Sequence, residues 1–266
     1  MNYIPITRHT DATRINEIVN HPSVRPWIAD MELGIIDLSY QVKDTRNILL
    51  VGEHGACMFL YIMQGLYEVH TQVLPEGRGE WAKALAHSVA YWMFTKTDAW
   101  EVVTRVPAKH IAAKQLSINT DMKYEFTRKD GCIFHGKTMD VDIYSRTLQE
   151  WVLKDEAIVQ TGKKFHDFLN TKALEFGLED PTHEDDENHN RFVGAAVEMA
   201  LNGQLVKAVV FYNRWVAVAR HIDAANKGLR SITLTSFSPP TFKFENDVVW
   251  GVCLKGNSLQ DIEVIR

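Results

Sequence analysis

Hydrophobic and polar positions in the first half of the chain follow two periods, and the switches between them mark the elements. "YIPITR" (3–8) alternates like a short strand, and Thr10 or Asp11 is placed to cap a helix over "ATRINEIVN" that ends at His21-Pro22. A loop holding Trp27 between Pro22, Pro26 and Gly34 follows. "NILLVGE" (47–53) and "ACMFLYIMQ" (56–64) predict strands joined at "EHG", with "LYEVHTQVL" (66–74) completing a meander. After "PEGRG" the period lengthens: Trp81, Leu85, Val89 or Ser88, and Trp92 recur at spacings of three and four, which predicts an amphipathic helix packed on a sheet.

"AWEVVTRV" (99–106) is the next strand, and Pro107 is placed to open a helix over "AKHIAAKQLSI" (108–118). "MKYEFTR" (122–128) and "CIFHGKTMDVDIYS" (132–145) predict a closing hairpin around "KDG". The order is β, α, loop, β, β, β, α, β, α, β, β, ending near residue 145.

Beyond that point the pattern is helical over 147–177, interrupted by the acidic run "LEDPTHEDDENHN" (178–190). It resumes over 189–228 as one or two helices broken near Asn202-Gly203. "SITLTSFS" (231–238) and "FKFENDVVWGVCL" (242–254) predict two strands. A boundary near residues 148–160 gives two expected domains, 1–150 and 151–266. The fold class expected is α+β: a mixed central sheet flanked by helices, with a C-terminal helical or α+β domain.

Charge narrows the function. Net charge is −5, and the 29 Lys and Arg residues are scattered, so electrostatic binding of a nucleic-acid backbone is not expected. Cys57, Cys132 and Cys253 are far apart and form no CxxC, so they read as small buried residues of a reducing compartment. His183 to His189 lack the spacing of a zinc helix or a calcium loop and read as a solvated acidic loop, so no metal is expected. The aromatic run 211–221 is expected in the core or at a subunit contact, not as a stacking platform. With no apolar leader and no run of 18 apolar residues, a cytoplasmic protein is expected.

The stretch "LPEGRGEWAKAL" (74–85) is where chemistry concentrates. Gly77 and Gly79 can adopt positive φ and admit a ligand close to the backbone, and a helix N-terminus beginning at Glu80 favours an anion. Arg78 adds a donor, whereas Glu80 opposes the anion slightly. The competing reading is a tight strand-to-helix turn with no ligand.

This element order and loop resemble the Gcn5-related N-acetyltransferase superfamily over residues 1–145. That family's loop carries Gln or Arg, two variable residues, Gly, one variable residue, then Gly or Ala. Leu74-Pro75-Glu76-Gly77-Arg78-Gly79 matches both small positions but has Leu74 at the first. A later feature, Ala then Tyr four residues on then Gly-Phe, falls on Ala113, Ser117 and Asp121-Met122. The resemblance implies acetyl-CoA as cofactor, bound by Leu74, Gly77, Arg78, Gly79 and Glu80, with an amine as acceptor. The family's tyrosine, which often protonates the departing thiolate, is Ser117 here, with Tyr124 as a substitute.

Strand alternation puts Leu66, Glu68, His70 and Gln72 on one face and Tyr67, Val69, Thr71 and Val73 on the other. A histidine side chain ordinarily titrates near neutrality, which makes His70 the candidate base, with Glu68 orienting it. "INEIVNHPSVRPWI" and "YEVHTQVLPEGRGEWAKALAHSVAYWMF" resemble the phage-encoded branch of the family. Two functions therefore stand side by side: an N-acetyltransferase acting in a host cytoplasm, or a non-catalytic virion or assembly protein on the same scaffold. Residues 151–266, lacking a nucleophile, metal set or glycine motif, are expected to serve recognition, protein partners or self-association.

Overall fold

The computed structural model describes residues 3–28, 34–134, 136–175, 187–204, 206–208, 210–212, 233–235, 241–243, 249–254 and 262–265. The chain divides into two compact units, Met1–Phe94 with Asp98–Trp151, and Thr95–Thr97 with Val152–Arg266.

In the first unit seven strands form one mixed sheet in the order β1-β2-β3-β4-β5-β7-β6. They are β1 (Thr7–His9), β2 (Ile48–Gly52), β3 (Gly55–Met63), β4 (Leu66–Val73), β5 (Glu101–Pro107), β6 (Lys123–Phe134) and β7 (Lys137–Thr147). Every neighbouring pair is antiparallel except β4 and β5, which are parallel and joined by a helical crossover. The helices are α1 (Thr13–Val19), α2 (Ser39–Lys43), α3 (Glu80–Lys96) and α4 (Ile111–Asn119). This is the expected element order except for α2, which falls where no element was expected.

The sheet is sandwiched because both of its faces are apolar where β2 and β3 run. Ile15, Ile18 and Val19 of α1, all fully buried, pack on Leu49, Val51, Ala56 and Met58. Burying an aliphatic side chain of this size is worth roughly 1.5–3 kcal/mol. The N-cap of α1 is Ala12, with no side-chain cap bond; Asp11, anticipated as a cap, stands one residue earlier and accepts the Thr13 N–H at 3.1 Å. The other face takes α3, whose Trp81 ring lies against Gly52 and Gly55 while Leu85, Val89, Met93 and Phe94 are buried.

Three local expectations are corrected. Pro107 closes β5 instead of opening a helix; α4 begins at Ile111, after the cap His110. The β6–β7 turn is not at "KDG": β6 continues to Phe134, and Lys129 to Gly131 sit in a register shift within the strand, with Asp130 at φ 48°. Asp140 holds that bulge by accepting from Lys129 Nζ at 2.7 Å and the Asp130 N–H at 3.1 Å, so a turn-like sequence serves as a bulge. The first strand occupies Thr7–His9, not 3–8, because its register against Val51 to Leu49 begins at Thr7.

The second unit contains α6 (Glu156–Glu175) and α7 (Glu187–Leu201), preceded by α5 (Leu148–Val152), which spans the division, and a four-stranded antiparallel sheet. Its strands are β8 (Thr233–Thr235), β9 (Thr241–Lys243), β10 (Val249–Leu254) and β11 (Ile262–Ile265), in the order β11-β10-β9-β8. One strand expected over 242–254 is therefore two, paired antiparallel with Val249 opposite Lys243. Gly162 and Gly194 face the backbone of the other helix, at Asn190 and Ile158, too closely for any Cβ. Arg191, 5% exposed, donates to Glu156, Glu187 and the Asp155 carbonyl. The helix breaks at Asn202-Gly203 as expected, with Gly203 at φ 81°. His183 to Asp186 and most of the aromatic run 211–221 lie outside the described residues, while Phe211 and Tyr212 are buried.

Among the described residues, no group of three or more His, Cys, Asp or Glu is placed to hold a metal ion, and no helix is long and apolar enough to cross a membrane. Cys57 is buried, and burial pushes its thiol up to about 12, so it is chemically quiet.

Candidate functional site

The parallel β4–β5 ladder is short. It pairs Leu66 with Glu101, Tyr67 with Val102 and Glu68 with Val103, and then stops, although β4 continues to Val73 and β5 to Pro107. Past Glu68 the strands are bridged by side chains: Thr104 Oγ1 donates to the Val69 carbonyl at 3.0 Å. The wedge between them opens into a cavity of about 950 Å³, lined by the ends of both strands, the start of α3, α4 and the 3₁₀ segment Arg25–Trp27 with its neighbours. A parallel pair that parts company exposes backbone N–H and C=O groups along its inner edges, where an extended ligand can pair as a third strand.

The lining is cationic. Arg78, Lys83, Arg105, Lys109 and Arg146 contribute to it, and among the described residues it includes no carboxylate. Such a cavity concentrates anions. At its mouth, α3 presents the unpaired opening N–H groups of a helix N-terminus.

The two loop glycines have different jobs. A Cβ at Gly77 would lie 2.7 Å from His54 Cβ, 2.8 Å from Trp81 Cε3 and 3.0 Å from Val73 Cγ1, so this glycine is required by packing under the Trp81 ring. Gly79 sits at φ 85° with nothing within 4 Å of a Cβ, and it lines the cavity. Gly79 is therefore the residue that leaves room for a ligand on a left-handed backbone. Leu74 packs with the α1 cluster, its N–H donating to the His54 carbonyl at 2.8 Å, and is not among the residues lining the cavity. Arg78 lines the cavity while Nη2 donates to the Ser23 carbonyl at 3.1 Å. Glu80 points outward, 89% exposed, and meets Lys83 Nζ at 2.6 Å, which offsets its charge near the helix start.

Glu68 and His70 are brought together on the α1 face of β4. Glu68 is 5% exposed and takes a two-pronged contact from Arg105, Nε to Oε1 at 2.7 Å and Nη2 to Oε2 at 2.6 Å. His70 lines the cavity with Nε2 3.1 Å from Glu68 Oε1. Burial works to raise the Glu68 carboxyl, but His70 and the Arg105 guanidinium outweigh it and hold it at about 2. At neutral pH Glu68 is an anion.

Ser117 is 6% exposed and lines the cavity, but its hydroxyl donates to the Ala113 carbonyl at 3.1 Å within α4. Tyr124 is not among the lining residues: it is 49% exposed on β6, its hydroxyl 2.8 Å from Thr127 Oγ1. Asp121, at the position matched to the family's glycine, adopts φ 60°, so the backbone keeps a left-handed turn there although the side chain has changed.

Sequence reasoning missed three lining residues. His110 caps α4, its Nδ1 accepting the Ala113 N–H at 3.3 Å, which assigns the ring proton to Nε2. Burial, aided by the charge of Arg78, lowers its pKa. Trp27 stacks on it with ring centroids 4.0 Å apart. Arg105 had one visible signal, a lone cation in the apolar strand "AWEVVTRV", but its partner lies 37 residues away.

The strand order, the splayed parallel pair and the glycine loop at the start of α3 define a Gcn5-related N-acetyltransferase fold for the first unit. No family model matches the sequence, and no curated protein does. Among solved structures, a spermidine N-acetyltransferase from Vibrio cholerae in complex with CoA and spermine is similar at 14% identity and TM-score 0.47, over 55% of this chain and 98% of that one. A mutant of the same enzyme gives 15% identity and TM-score 0.47 over 56% and 97%. A dodecameric form in an intermediate state gives 16% and 0.40 over 45% and 75%. The fold assignment rests on the topology and the splay.

Proposed function

We propose that the first unit binds an acyl-CoA, with acetyl-CoA as the simplest case, and transfers its acyl group to an amine. The observation that supports this most is the β4–β5 wedge, which opens without interruption toward Gly79 and the start of α3 under a lining of cations. The pantetheine arm fits the released inner edge of β4 over Val69 to Val73. The pyrophosphate fits the opening N–H groups of α3, beside Gly79, Arg78 and Lys83. The thioester supplies an activated acyl carbon; the chain's own part is positioning and proton removal. His70 takes the proton of the amine as the new N–C bond forms and the thioester C–S bond breaks, CoA leaves as a thiolate that takes up a proton on release, and Glu68 stays ionised beside the imidazolium. Ser117, a weak acid already donating to Ala113, replaces the family's tyrosine, so slow turnover is expected.

The test is thermal unfolding with acetyl-CoA at about a hundred times its dissociation constant, where specific binding stabilises the protein by about 2.7 kcal/mol. Gly79→Asp, which adds an anion and fills the room beside the backbone, loses the shift. No shift in the native protein overturns the reading.

The commitment of the Ser117 hydroxyl is compatible with one other reading, a non-catalytic protein that keeps the scaffold, such as a phage virion or assembly protein, with 151–266 as the recognition or self-association part. Its test is the composition of purified particles: absence of the chain removes it.

A further inference from the structure

We propose that Arg105 is a positioning residue that sets the opening of the β4–β5 wedge and fixes Glu68 at His70. The inference rests on His70 as the base and adds a residue to that site. Val103 is the last β5 residue in the ladder, opposite Glu68, so Arg105 stands level with His70 on the same face, where backbone pairing has ended. Its planar fork reaches back across the gap to both carboxylate oxygens at 2.7 and 2.6 Å. Two parallel bonds to a 5%-exposed carboxylate fix angle as well as distance, which one bond or a lysine does not. Thr104, on the alternate face, ties the same point to Val69. The wedge therefore starts at two side-chain bridges, and the oxygen that receives Arg105 Nε is the one beside His70.

Among the described residues, the charged groups placed at His70 are Glu68 on its own strand and, paired to that carboxylate, Arg105 on β5, while Arg78, Lys83, Lys109 and Arg146 line the same cavity. β3 sets Met58 opposite it, and α1 covers this face with Ile15, Ile18 and Val19, while its Arg14 and Glu17 pair with each other at 2.8 Å. Arg105 thus pairs with the carboxylate that faces His70.

Ring titration of His70 by NMR tests this without turnover, and acetyl transfer tests it with turnover. In Arg105→Gln the Glu68 charge is unmasked, so His70 keeps its proton to higher pH. The rising limb of the pH–rate profile moves up with it, and kcat falls about tenfold or more, since a misplaced base forfeits part of the 10²–10⁴-fold that such catalysis gives. Acetyl-CoA binding changes less than about threefold. Arg105→Lys recovers the titration but not the full kcat. The double variant Glu68→Gln with Arg105→Gln, which leaves no buried unpaired charge, folds and returns the His70 titration toward the native value. An unmoved His70 titration in Arg105→Gln overturns the proposal, as does a loss of acetyl-CoA affinity of about tenfold with kcat retained, which makes Arg105 a ligand-binding residue. If the native protein shows no acetyl-CoA shift, the transferase reading fails while the titrations still decide the role of Arg105.

Discussion

Gly77 and Gly79 are two residues apart and read alike in the sequence, yet packing leaves no room for a side chain at one and leaves the other open to the cavity. Gly77→Ala places a methyl between His54, Trp81 and Val73, and overpacking of this kind costs about 1–3 kcal/mol. Urea midpoints check this, and acetyl-CoA binding by the folded fraction is expected to persist. Gly79→Asp has the opposite profile, because nothing crowds the site but a negative charge enters it. Asp121 shows the same separation of backbone from side chain: its φ of 60° keeps a turn that a glycine would make without strain. Glu68 is the residue whose meaning changed most. Alternation placed it beside His70, and the contact with Arg105, invisible locally, makes it a permanent anion instead of a second base.

Among the elements, β4 and β5 matter through what they do not pair. Three rungs hold them, and the rest of each strand borders the cavity. α4 forms a wall of that cavity and is pinned by Lys114 Nζ to Asp142 on β7 at 2.6 Å, with Asp142 also accepting from Thr127 Oγ1 at 2.6 Å. In the second unit the α6–α7 contact depends on two glycines. Gly194→Ala drives a methyl into the Ile158 carbonyl, and a cost on the order of 3 kcal/mol or more is expected from such backbone crowding. Denaturation followed by circular dichroism checks it. The element order, the meander and the α3 stripe were legible because each depends on a local period. The "KDG" bulge and the start of α4 were not, since a turn-type sequence fits a bulge as well as a hairpin and only the β7 register chooses.

For the molecule as a whole, acid stability follows from Glu68. Its carboxyl is held at about 2 in the fold against an ordinary 4.5, so below the ordinary value the unfolded chain binds the proton that the folded chain refuses. The stability this confers is complete above about 4.5 and is lost as pH falls toward about 2. Glu68→Gln is expected to be less stable at neutral pH and to lose less between about pH 5 and about pH 2.5, as urea midpoints along that range would show. By itself the sequence determined the α+β class, the order of elements, the loop that begins α3 and the pairing of Glu68 with His70 on one strand face. All of these follow from periods of two or 3.6 residues and from where glycine and proline fall. Only the tertiary structure decided that β4 and β5 part after three rungs, that Arg105 crosses the gap to Glu68, that Trp81 claims Gly77, and that Trp27 stacks on His110. Each of these joins residues 4 to 83 positions apart, and no local pattern encodes a register between distant strands.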